Sequence, residues 1–262
     1  SSFRIMGVLQ RIALAYGIAA IMVIHLDLKK IFISALGILI AYWGILWIGG
    51  GEDPYSLEHN LIRKIDIFLL GESHLYGGTG IQFDPEGLLS TIPSVVTVLI
   101  GYLVGSMLHT TKDFLDNVKR MSTFGIGLMI VGIIWGLLFP INKQLWTSSY
   151  VLFTGGIATL ILSSLCFMID IKKWKKPLWV FQIFGTNSIF LFVLSGLWTK
   201  IILRLRFDLE GQSISGYGYL YKTLFVPIGG DMFGSFLFAF AHLVGFWLIL
   251  LWLYRKKIFI NL

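Results

Sequence analysis

Arg4, Gln10 and Arg11 stand in the stretch RIMGVLQRIALAY, at the head of an apolar run. Positions 4 and 11 are seven apart and share a face if the stretch is helical. Two guanidiniums on one face at a membrane boundary suit a phosphate or a carboxylate. Long basic side chains also snorkel to lipid headgroups. A second constellation is FDPEGLLSTIPS, residues 83–94. Asp84 before Pro85 reads as a turn into a helix with proline at its first position. Asp84 and Glu86 at that N-terminus are favoured by the helix dipole; they either cap the helix or do orienting and acid–base chemistry. In GESHLYGGTG, His74 and Tyr76 lie in a glycine-rich stretch. His74 has the chemistry of a general base or of a loop histidine bonded to backbone. INKQLWTSSY places Asn142, Lys143, Trp146 and Ser149 before another run, where a helix N-terminus attracts anions. Asn187, in GTNSI, is a polar residue inside an apolar run, which favours the bundle interior.

The elements that position these residues are membrane helices. Of 262 residues, 56% are hydrophobic and 13% charged, about half the charge of a soluble domain. Mean hydropathy is +0.81. This excludes an ordinary soluble enzyme and a disordered chain. A bilayer core needs about 20 apolar residues in a helix, and seven runs qualify: 12–26, 31–48, 88–108, 121–139, 146–169, 178–203 and 232–254. The expectation is an all-α polytopic membrane protein, residues 1–262 forming one transmembrane domain in the lipid bilayer. The glycine spacings 101/105 and 132/136 read as close helix packing and permit a homodimer.

The net charge of +7 flanks the apolar runs and reads as topology, so no nucleic-acid partner is expected. Twelve of the 21 basic residues crowd into the short connections 25–30, 110–120, 170–177 and 255–262. By the positive-inside rule that side is cytoplasmic. The N-terminus is then outside and the C-terminus inside. Two long stretches, 49–87 and 200–231, fall on the outer side, where a functional site is expected. The single Cys166 excludes an internal disulfide, and no metal site is expected.

Six stretches together resemble the heparan-α-glucosaminide N-acetyltransferase family and its bacterial relatives: RIMGVLQRIALAY, LLGESHLY, FDPEGLLSTIPS, INKQLWTSSYV, GTNSI and LYRKKIF. They occur in the family's order over residues 4–259. The resemblance implies about eleven helices in the inner (plasma) membrane. It implies transfer of acetyl from cytoplasmic acetyl-CoA to the amino group of a glucosamine-type sugar outside. The family's catalytic histidine sits in a His-x-x-Trp-Asn-Gly motif upstream of the first matched stretch. None of His25, His59, His74, His109 or His242 begins that pattern, so a chain beginning at Ser1 reads as part of a longer protein. On this reading Asp84, Glu86 and His74 support the chemistry. Arg4, Gln10, Arg11, Tyr76, Asn142, Lys143, Trp146, Ser149 and Asn187 contact substrate or donor. An amino-sugar or glycan transporter is the alternative.

Overall fold

A computed structural model describes residues 3–260 except 79, 109, 175, 177 and 210. His109 and Lys175 of the sequence reading lie outside the described residues. Among those residues, six helices are long and apolar enough to cross a membrane, or seven if one bent pair forms a single span. The protein is an all-α polytopic membrane protein. It divides into two compact units, Ser1–Lys173 and Trp174–Leu262.

The first unit contains α1 (Val8–His25), α2 (Leu28–Gly49), α3 (Leu61–Leu70), α4 (Leu88–Met107), α5 (Phe114–Gly136) and α6 (Ser148–Cys166). The apolar runs become these helices because lipid offers the backbone no partner. Asp27 and Asn60 cap α2 and α3 by accepting the Lys30 and Arg63 amides. α4 is the hub and packs against α1, α2, α3, α5 and α6. Its Val96 and Leu99 meet Ala15 and Ala19 of α1, Leu39 of α2 and Val151 of α6 in one buried core. A second core lies toward the loops: Tyr42, Leu46, Ile62, Phe83, Phe139 and Leu145. Outward-facing Ile24, Ile48 and Leu137 are largely exposed, as lipid-facing residues should be.

The stretch 49–87 is not one long loop. Its residues 61–70 form α3, with Ile62 and Asp66 buried. The two glycine spacings also part ways. Gly132 packs tightly, since a Cβ there would stand 2.6 Å from the Phe153 amide. Gly125 and Gly156 oppose each other across α5 and α6, and a Cβ on Gly156 would meet the Gly125 carbonyl at 2.6 Å. A Cβ on Gly101 or Gly105 would meet nothing within 4 Å among the described residues, so the reading of 101/105 as a close helix contact does not hold within them.

In the second unit the run 178–203 is broken. α7 (Trp179–Thr186) and α8 (Ser188–Arg204) meet at a 76° bend centred on Asn187. The Asn187 amide donates to the Ile258 carbonyl at 3.1 Å and its oxygen accepts the Ile260 amide at 2.8 Å. Residues 200–231 also hold more structure than a loop. β1 (Arg206–Leu209) pairs antiparallel with β2 (Gln212–Ser215). α9 (Gly216–Leu220) then leads through a wide turn into α10 (Val226–Arg255). Gly229 and Gly230 interrupt α10, and Gly230 has φ +69°, a conformation glycine adopts without strain. His242 sits among Phe238, Tyr217 and Trp198, its Nδ1 2.9 Å from the Phe238 carbonyl.

The α5–α6 contact gives a stability prediction. Gly156→Leu should lower the thermal midpoint in detergent by several degrees, because overpacking costs about 1–3 kcal/mol. Gly101→Leu should leave it unchanged. Thermal melts of the two purified variants check both.

Candidate functional site

The chain reaches α1 through residues 3–7, which are not helical. Arg4 therefore precedes the helix and does not share a helical face with Arg11, as the seven-residue spacing suggested. The two arginines nevertheless reach the same segment, residues 84–90. Arg4 forms a fork on Asp84, with Nε 2.9 Å from Oδ2 and Nη2 2.6 Å from Oδ1; the same Nη2 lies 2.6 Å from Glu86 Oε2. Asp84 is buried. Its bonds hold the Arg4 guanidinium above its ordinary pKa against the opposing effect of burial. Tyr76 lies under Arg4, 4.7 Å from guanidinium carbon to ring centre, and its other surface is exposed.

Arg11, the fourth residue of α1, is buried. It donates to the Pro85 carbonyl at 2.5 Å and to the Ser90 hydroxyl. Its guanidinium also stacks over Trp146 at 4.7 Å. Trp146 adopts φ +51°, a left-handed conformation that costs a non-glycine residue about 1–2 kcal/mol. Its indole is bonded to Thr97 at 3.3 Å. Arg11 Nε has no partner among the described residues.

Asp84 and Pro85 do not start α4. They form a turn in which the Glu86 amide donates to Asp84 Oδ1 at 3.0 Å and the Gly87 amide to the Asp84 carbonyl at 3.0 Å. The helix begins at Leu88, whose amide donates to Asp66 Oδ1 at 3.0 Å. Asp66 from α3 is thus the acid at the α4 N-terminus, a position the dipole favours. In the sequence Asp66 stands in IRKIDIFLL, inside the long stretch 49–87, and belongs to none of the candidate motifs. An Asn60 cap followed by apolar positions 61, 62, 65, 68 and 69 was the available signal. Asp66 Oδ2 is buried without a partner among the described residues and lies against Gly87, where a Cβ would approach to 1.9 Å. Burial, with the nearby Asp84 charge, raises the Asp66 pKa to about 6. The Leu88 amide and Arg11 oppose the rise.

His74 Nδ1 lies 2.6 Å from the Phe3 carbonyl. A carbonyl accepts only, so Nδ1 is the donor in this bond. Asn142 and Ser149 are turn residues. Asn142 Oδ1 accepts the Gln144 amide at 2.8 Å, and Ser149 donates to the Phe139 carbonyl at 2.5 Å. Tyr42 donates to the Leu145 carbonyl at 2.5 Å and ties this turn to α2. The structure thus gathers Arg4, Arg11, Tyr76, Asp84, Glu86 and Trp146 around residues 84–90 and ties His74 to Phe3, next to Arg4 in the chain. Gln10 and Lys143 are exposed and make no side-chain bond to that group. Asn187 belongs to the second unit and bonds its own unit's tail.

No protein-family model matches the chain. Over 171 residues it is 34% identical to the heparan-alpha-glucosaminide N-acetyltransferase of Mus musculus, covering 57% of this chain and 26% of that protein. Over 146 residues it is 33% identical to the enzyme of the same name from Homo sapiens, covering 49% and 22%. The chain is related to that family, and the match spans about a quarter of the relatives' length.

The buried Asp66 sets a pH dependence. Its folded pKa of about 6 lies above the ordinary 3.8, so the folded state binds this proton more tightly. The resulting stabilisation is full below the ordinary value and is lost as pH rises through about 6. Arg11, Asp84 and Tyr42 are the charged or titratable groups that act on it. Asp66→Asn should remove that loss and melt a few degrees above wild type at about pH 7.5. The gap should shrink markedly at about pH 4.5. Melts of both proteins at the two pH values check it.

Proposed function

We propose that this chain works within a transmembrane N-acetyltransferase of the inner (plasma) membrane. The enzyme moves acetyl from cytoplasmic acetyl-CoA to the amino group of a glucosamine-type sugar on the outer side. The observation that carries the reading is the 34% identity to a heparan-alpha-glucosaminide N-acetyltransferase over 171 residues. The crowding of basic residues at one set of helix ends supports the orientation, with residues 84–90 toward the outside.

The charged group around residues 84–90 suits the acceptor rather than the donor. Both guanidiniums are already bonded, Arg4 to two carboxylates and Arg11 to Pro85 and Ser90. Arg11 is buried away from the phosphates of coenzyme A, and two carboxylates already offset the Arg4 charge. Glu86 is half-buried and fixed by Arg4, so it presents an acceptor for an amine or a sugar hydroxyl. The exposed Tyr76 ring, backed by Arg4, offers a flat apolar surface for a pyranose. Amine attack on a thioester carbonyl forms the C–N bond, breaks the C–S bond and releases one proton to a base. The family resemblance implies a histidine for that base, in a motif upstream of the first stretch matched here. Within the chain, His74, whose Nδ1 donates to the Phe3 carbonyl, is an imidazole of the same chemical type.

The full-length gene product, purified in detergent and given radiolabelled acetyl-CoA with glucosamine, should form N-acetylglucosamine. Asp84→Asn should cut turnover ten-fold or more. Tyr76→Ala, which breaks no buried contact, should raise the sugar KM several-fold and spare kcat. Wild-type kinetics in both variants would remove the acceptor site from residues 84–90. Sugar uptake into vesicles without acetylation would establish the transporter instead.

A further inference from the structure

We propose that the first unit binds an anionic phospholipid. One acyl chain lies in an apolar groove between α2 and α5, and the headgroup phosphate sits at Lys119 and Arg120. The groove encloses about 760 Å³. Leu36 of α2 and Phe124 and Leu128 of α5 wall it; Ile100 and Leu103 of α4 and Leu152 of α6 form its floor. All four helices are long and apolar enough to cross a membrane, so what fills the groove comes from the bilayer or enters at its edge.

The groove has two chemically different ends. Lys119, Arg120 and Thr123 are the polar side chains that line it, and all three lie near the start of α5. From Lys119 to Val131 the lining advances twelve residues along α5, roughly 18 Å at 1.5 Å per residue. Half of a ~30 Å hydrocarbon core is about 15 Å. The slot therefore spans one leaflet, with its basic end at the interface and its apolar end near the midplane.

The basic end is available. Among the described residues no carboxylate pairs with Lys119. Arg120 bonds Asp116 through Nε at 2.9 Å, which leaves its Nη groups for a phosphate oxygen. Basic pockets between membrane helices on the cytoplasmic side recognise anionic headgroups. A lipid without net charge would fill the slot equally well but would leave Lys119 unmatched, with the Arg120 Nη groups engaged by no net negative charge beyond Asp116. Charge complementarity thus selects an anionic lipid.

The test uses the whole chain in nanodiscs with equal mole fractions of phosphatidylglycerol and phosphatidylcholine, followed by native mass spectrometry of co-purifying lipid. Wild type should retain phosphatidylglycerol at least ten-fold over phosphatidylcholine. The double change Lys119→Ala/Arg120→Ala should bring that ratio near one. Gly127→Phe should expel both lipids with the thermal midpoint unchanged. Gly127 lines the groove, and a Cβ there meets nothing within 4 Å. Equal retention of the two lipids by wild type would overturn the proposal, as would retention insensitive to all three changes. Displacement of the lipid by micromolar coenzyme A, weakened by Lys119→Ala, would overturn it too and give the groove to the acyl donor.

Discussion

A guanidinium buried at the head of a membrane helix has to find oxygen acceptors, and Arg11 finds them on a different segment of the chain. The Pro85 carbonyl and the Ser90 hydroxyl tie α1 to the start of α4. Arg4 adds the fork on Asp84 and the bond to Glu86. Leaving the buried Asp84 unpaired would cost several kcal/mol, because a buried charge without a partner is not solvated. The geometry of α1, α4, the 84–87 turn and the Tyr76 loop follows from this one requirement. Asp66 extends it to α3 by holding the first amide of α4.

The spans were legible in the sequence because bilayer thickness fixes their length and lipid fixes their composition. Run 88–108 became Leu88–Met107 and run 31–48 became Leu28–Gly49. The meeting of Arg4, Arg11 and the 84–86 carboxylates was only half legible. Residue type announced a charged pairing, but the same-face argument assumed a helix that begins four residues after Arg4. Contacts across 74 to 82 residues of chain leave no local period to read. Asp66 was hidden for a related reason. Its role depends on what α4 offers it, and nothing within α3 shows that.

Other differences have local causes. The spacing of Gly101 and Gly105 matches that of Gly132 and Gly136, but spacing does not say which helix lies opposite. The hairpin at 206–215 was masked by its exposed, mixed composition; its register comes from pairing across a Gly211 turn of φ +78°. Several of the polar motif residues are spoken for by backbone. Asn142 and Ser149 close a turn, and Thr147 accepts from the Asn142 amide while donating to the Pro140 carbonyl. Similarity in such stretches therefore tracks the fold as much as the chemistry.

The bend at Asn187 has a consequence for biosynthesis. Its side-chain amide is held by residues 71 and 73 positions later. A ribosome adding ~5–20 residues per second needs roughly four to fourteen seconds to make that partner. Through that interval α7 and α8 sit in the nascent protein with their junction unclamped, and the polar Asn187 has to be sheltered by the insertion machinery or by water. The second unit reaches its final shape only after the segment beyond α10 has emerged.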